Sequence, residues 1–182
     1  LAAAYSRKTI ISDTDDQGKL CLILDALKPL YGFRLDFLHL GKRKLPEHVL
    51  VYQQQSSRQE GRRNKAVMAF LHTDAYSFAP RIKNFNQLVV ANKDIGFALF
   101  RDIREPEIKS KVSKEEIEKL NNTENGKYIP MDRSQRINFE LVYQIISDIQ
   151  NHDLHADPDQ VMPLLINVIG KKFWLFRAIG AY

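Results

Sequence analysis

Residues 87–100 read QLVVANKDIGFALF, and the way they fold decides the architecture of the chain. The run breaks at ANKDIG, between two apolar stretches. Read as two strands, it is a β-hairpin with a loop of a few residues. Read the other way, residues 81–92 are a helix and only 95–101 form a strand. Val89, Val90, Phe97 and Phe100 are residue types that favour strands, so the hairpin is the expectation.

Three apolar runs precede it. GFRLDFLHL (32–40) alternates, with Phe33, Leu35 and Phe37 on one face and Arg34 and Asp36 on the other. HVLVYQQ (48–54) follows the loop GKRKLPE, and KAVMAFLH (65–72) is the third. With the hairpin, these runs make a small, mostly antiparallel sheet of about four to five strands. Before them a helix starts after Asp13, where Thr14 and Gln17 have capping-box spacing. Leu20, Ile23, Leu24 and Leu27 then keep the helical period, and Pro29 with Gly32 closes it. Residues 73–84 read as a loop.

The character of the chain changes after residue 102. REPEIKSKVSKEEIEKLNNTENGK is polar; Ser113 and Glu116 suggest a capped short helix, and NNTENGK a loop. Asp132 and Gln135 cap a long helix whose apolar stripe is Ile137, Leu141, Ile145 and Ile149, with Val142 and Ile146 beside it. Asp157, Pro158 and Gln160 open a last helix, apolar on most of its circumference, that Pro163 and Gly170 can bend. The expected class is therefore α+β: an N-terminal helix, a central sheet and a helical C-terminal third. Residues 1–102 form the sheet-containing core, 103–130 a charged linker with a short helix, and 131–182 a helical part packing on that core. The whole is one domain, and the absence of a starting Met suggests a piece of a longer protein.

A chain of 182 residues with 44% hydrophobic and 27% charged residues has ordinary globular composition. No run of 18 apolar residues suggests a membrane span, and the N-terminus lacks the basic-then-apolar order of a signal peptide. The single cysteine, Cys21, excludes an internal disulfide and sits in the apolar run LCLIL, where it reads as a small buried hydrophobe. An intracellular location, cytoplasmic or nuclear, is the expectation.

The net charge is concentrated. Residues 41–65 hold seven Lys and Arg against two acids, a surplus of +5, and the full chain carries 27 against 22, also +5. A polyanionic partner fits that footprint. The leading expectation is a non-catalytic nucleic-acid-binding domain. Lys42, Arg43, Lys44, Arg58, Arg62, Arg63 and Lys65 would meet phosphates, with Arg81 and Lys83 extending the patch. Tyr52 would stack on a base, and Gln53 to Gln55 would reach base edges. The alternative is a protein–protein interaction or oligomerisation module using the C-terminal helix, with Phe173, Trp174 and Phe176 as anchors.

Signals for catalysis are sparse. Glycines are dispersed and form no phosphate loop, so no nucleotide cofactor is expected. DTDDQG (13–18) begins like a calcium loop, but Leu24 occupies the twelfth position, which needs Glu; the acids read as favourable charge at a helix start. His152, His155 and Asp157 are weak metal candidates, since His at a helix C-terminus and Asp at an N-cap have plain structural roles. His39, His48 and His72 have no evident catalytic partner. The order helix, strands, helix, strand also matches, in outline only, the PD-(D/E)XK nuclease core, and no membership of that family is claimed. There Asp36 would be the catalytic acid, but Gln53 and Gln55 stand where such an enzyme needs Glu and Lys to hold magnesium and activate water. A degenerate, non-cutting relative is then the better reading of that outline than an enzyme.

Overall fold

The computed structural model describes residues 11–53, 64–73 and 75–178. In chain order the elements are α1 (Asp13–Tyr31), β1 (Phe33–Asp36), β2 (Glu47–Gln53), β3 (Lys65–Phe70), α2 (Ala75–Ala91), β4 (Ile95–Asp102), α3 (Lys111–Asn121), β5 (Gly126–Met131), α4 (Arg133–Gln150), α5 (Pro158–Ile169) and α6 (Trp174–Ala178). The class is α+β.

The hairpin expected at 87–100 does not form. Phe78, Ile82, Phe85 and Val89 recur at helical spacing and are all buried, whereas Val90 points outward, 62% exposed. Burial of that stripe overrides the strand preference of the two valines. The helix also takes in most of 73–84, which reads as loop by composition. Its consequence is topological. A helical crossover returns the chain across the sheet, so β4 lies parallel to β3. Helix α3 repeats the move, and β5 lies parallel to β4. The strands are ordered β1-β2-β3-β4-β5, antiparallel on the β1–β3 side and parallel on the β3–β5 side. The sheet is thus mixed rather than mostly antiparallel, and β5 comes from the stretch that reads as a charged linker and loop.

Helices cover both faces. On one face Leu50, Val67, Phe97 and Leu99 pack under Phe78, Ile82 and Phe85 of α2 and Leu120 of α3. On the other, Val49, Val51, Met68, Phe70 and Phe100 meet Leu20, Ile23, Leu24 and Leu27 of α1, Phe139, Val142 and Ile146 of α4, and Met162 and Ile166 of α5. At Gly126, where β5 begins, a Cβ would stand 2.6 Å from Leu120 Cδ1 and 2.8 Å from the Leu120 carbonyl oxygen, so only glycine lets β5 and α3 approach.

The caps differ in detail. Ser12, not Thr14, caps α1, and Gly32 ends it at φ 59, a left-handed conformation natural to glycine. Ser110, not Ser113, caps α3. Asp132 caps α4 as its spacing predicts, accepting from Gln135 N at 2.8 Å. The buried stripe of α4 is Arg136, Phe139, Val142, Ile146 and Ile149, turned from the Ile137–Leu141–Ile145 line.

The last apolar stretch is two helices with a turn between them. That turn folds Phe173, Trp174 and Phe176 inward. All three are buried, and Trp174 lies 3.8 Å, centroid to centroid, from Phe100. They are core residues, not interface anchors; the outward apolar side chains of this region are Leu164 and Val168 on α5. No helix among the described residues is long and apolar enough to cross a membrane.

Candidate functional site

Two polar regions stand out, and Arg81 borders both. The first is where β3, β4 and β5 end and β2 begins. Asp13 and Asp16 share the face of α1 that carries Leu20, Ile23 and Leu27, so the helix delivers them buried. Arg136 comes in the same way on the buried stripe of α4. Its guanidinium donates to Asp16 Oδ1 at 2.8 Å, to Asp16 Oδ2 at 2.6 Å, to Asp102 Oδ2 at 2.7 Å and to Glu140 Oε1 at 3.2 Å. Asp102 is also gripped by Arg104, at 3.0 and 2.9 Å. His72, just beyond β3, accepts the Asp102 backbone N–H at Nδ1 (3.2 Å), so Nε2 carries the proton that it gives to Asp16 Oδ2 at 2.8 Å. Lys19 closes the group on Glu140 at 2.7 Å.

These partners set the titration. Burial alone would raise the Asp16 carboxyl; hydrogen bonds from His72 and Arg136 and the guanidinium charge outweigh it and hold the group at about 2. Asp102 is likewise below its ordinary value, burial being overcome by the bonds from Arg104 and the charge of Arg136. Arg136 is pushed the other way, its own burial outweighed by the two carboxylates. Both oxygens of Asp16 and of Asp102 are engaged, so the cluster is a clamp joining α1, β4 and α4. A polar cavity of about 520 Å³ opens beside it, lined by Asp13, Glu47, His72, Thr73 and Arg81 among others. Its charges already face one another: Arg81 donates to Asp13 at 2.9 Å and lies 3.5 Å from Glu47.

The second region begins with the β1–β2 connection. His48, buried on β2, accepts from Leu38 N at 2.9 Å through Nε2 and gives its Nδ1 proton to the Pro46 carbonyl at 2.9 Å, tying both ends of the loop. Helix α2 holds the middle. Arg81 donates to the Leu45 carbonyl at 2.9 and 3.0 Å, Asn84 donates to the Lys44 carbonyl at 2.9 Å, and Arg43 bonds to Gln87. Lys42, Arg43 and Lys44 are thereby presented side by side on a fastened backbone, all exposed, with Lys83 exposed on α2 nearby in sequence to Asn84. Among the described residues none of these four enters an ion pair. Arg81 does not join them: its guanidinium is taken up inside the fold, which corrects its place in the predicted patch.

The other half of this region lies toward the far end of β2, about 17 Å on at ~3.4 Å per residue. Arg34, Tyr52 and Lys65 are register partners across β1, β2 and β3, so they stand abreast on the face that carries α2. A cleft of about 480 Å³ is lined by Arg34, Leu35, Asp36 and Tyr52. Lys65 Nζ lies 5.7 Å from the Tyr52 ring centroid and is bonded to Asp94 at 2.8 Å, which raises its pKa. Helix α2 runs back from the clamp edge toward this one, and Gln87, near its end, draws Arg43 in the same direction. Arg58, Arg62, Arg63, Gln54 and Gln55 lie outside the described residues, as does the Gln53 side chain.

The remaining sequence candidates take structural roles. Asp157 caps α5, accepting from Asp159 N at 2.9 Å, and His152 sits at φ 63 in the exposed turn before it. Burial and the neighbouring Asp25 push the Cys21 thiol up, away from a reactive thiolate. The outline helix, three strands, helix, strand is present from α1 to β4, but no second carboxylate among the described residues lines the Asp36 cleft. Sequence reading missed the Asp16–His72–Arg136–Asp102 clamp and overlooked Arg34. The signal for the clamp was there: Asp13, Asp16, Leu20, Ile23 and Leu27 share one helical spacing, and so do Arg136, Phe139, Val142 and Ile146.

Comparison with known protein families, with curated proteins and with solved structures returns no significant match.

Proposed function

We propose that this chain binds nucleic acid, without catalysis, through the basic loop between β1 and β2 and the sheet edge beside it. One observation carries the reading. Lys42, Arg43 and Lys44 are exposed on a backbone fastened by His48, Arg81 and Asn84, and among the described residues no acid neutralises them. Cations held ready and unpaired at one place are what a phosphate backbone requires; mobile or self-paired lysines would first have to be ordered or released. Lys83 extends the loop's field along α2. The sequence carries three further cations, Arg58, Arg62 and Arg63, between Gln53 and Asn64.

Fluorescence anisotropy with labelled single-stranded DNA, duplex DNA and RNA across a salt series tests this. Affinity should be micromolar or tighter at low salt and fall steeply as salt rises. Replacing Lys42, Arg43 and Lys44 together with Ala removes three phosphate contacts and should flatten the log–log salt slope by about 2 on a single strand. Replacing Arg62 and Arg63 should weaken binding as well. Unchanged affinity in the triple variant sinks the assignment.

A further inference from the structure

We propose that the cleft of Arg34, Asp36 and Tyr52 is a pocket for one unpaired base, and that Asp36 makes guanine the preferred occupant. This rests on the nucleic-acid reading above and goes further, naming the strand form and the base.

A surface meant only for phosphates gains nothing from an exposed carboxylate in its midst. Yet Asp36 is exposed; Oδ1 accepts from Phe37 N at 2.8 Å, and among the described residues Asp36 pairs with no cation and Oδ2 takes no bond. Arg34, two residues back on the same face of β1, is also exposed and in no ion pair among the described residues. Between the two strands' side chains stands Tyr52, half-buried, its ring flanked on the β3 side by Lys65 at 5.7 Å. An aromatic ring held at its base, with the unpaired Arg34 on one side and a carboxylate along one wall, offers a stacking surface, a phosphate contact and an acceptor edge.

Each element narrows the ligand. Stacking on Tyr52 needs a base with a free face, which a duplex interior does not offer. Asp36 accepts and cannot donate when ionised, so it meets a base edge that supplies N–H groups. Thymine or uracil supplies one such group, and cytosine and adenine supply an amino group. Guanine alone sets an imino and an amino donor side by side, which matches the two oxygens of a carboxylate. In a duplex that edge is already paired. The cleft therefore selects a single strand, and within it a guanine.

The test is anisotropy of the full chain with fluorescein-labelled dT20, dT20 carrying one central dG, and dT20 carrying one central deoxyinosine, which lacks the amino group. The dG strand should bind about tenfold tighter than dT20, with inosine between. Asp36→Ala should erase that order, so that the three strands bind alike. Tyr52→Ala should weaken all three strands about tenfold, and Tyr52→Phe should keep most of the affinity. Equal binding of the three strands, or a dG preference that survives Asp36→Ala, overturns the base pocket. If the Lys42–Arg43–Lys44 variant still flattens the salt slope in that event, the basic-loop reading stands alone. No binding of any strand at low salt overturns both.

Discussion

Arg136→Met is the most informative single change to the buried clamp. The side chain that replaces the guanidinium is apolar and similar in length, so the site stays filled and the lost charge dominates. Asp16 loses three of its ties to Arg136: two hydrogen bonds and the nearest full positive charge. Asp102 loses one bond but keeps Arg104. The Asp16 part can be worked directly. Holding that carboxyl at about 2 instead of 3.8 is worth about 2.5 kcal/mol of folding stability at ~1.4 kcal/mol per pH unit, a gain shared between His72, which the variant keeps, and Arg136, which it loses. Stranding a buried carboxylate adds a desolvation cost, and the total should be about 3–5 kcal/mol at pH 7. The pH dependence has a definite sign. A carboxyl depressed by folding stabilises above its unfolded pKa, and that stability disappears as pH falls from about 4 to about 2. The deficit of the variant, read as the difference in urea-unfolding free energy from the parent, should therefore be largest at pH 7 and shrink below pH 4. A loss under about 1 kcal/mol at pH 7, or a deficit constant from pH 7 to pH 3, would refute the account.

Other substitutions probe the core and the crossover. Trp174→Ala should cost about 3–5 kcal/mol without changing the oligomeric state, because the indole packs on Phe100, Phe70 and Phe139. Trp174→Phe should cost only about 1–2 kcal/mol, since Nε1 has no hydrogen-bond partner among the described residues to lose. Chromatography showing a dimer dissolved by Trp174→Ala, with an unchanged melting temperature, would return the residue to an interface. Gly126→Ala should lower stability by about 1–3 kcal/mol, because the added methyl meets the Leu120 carbonyl at 2.8 Å; an unchanged urea midpoint would show that α3 shifts freely.

Elements with their own caps and periods were readable before folding was known. Leu20 to Leu27 and the Asp132 cap place α1 and α4 within a residue or two. The segment 87–100 was misread because local preference and tertiary burial disagree there: Val89 and Val90 favour strands, yet Phe78, Ile82 and Phe85 upstream supply the helical stripe that is buried. The sheet's parallel half follows from that one element, so the error in the local reading became an error in topology. The same limit explains the clamp. Hydropathy counts Asp16 and Arg136 as surface residues, and only their phase relative to the apolar stripe marks them as buried. The basic loop was legible in composition, but its fastening to α2 was not, since Asn84, Gln87 and Arg81 are joined to it only in three dimensions.

The distance in sequence between the two halves of the clamp has a consequence for biogenesis. Asp16 and Arg136 are separated by 120 positions. At 5–20 residues per second, translation leaves the carboxylates of α1 without their guanidinium for about 6–24 s. Over that interval the N-terminal helix can form but cannot dock in its final electrostatic environment, while β3, α2 and β4, close neighbours along the chain, can already associate. Helix α1, made well before α4, is then among the last elements to lock, and a stalled chain ending before residue 136 would expose its apolar face to chaperones.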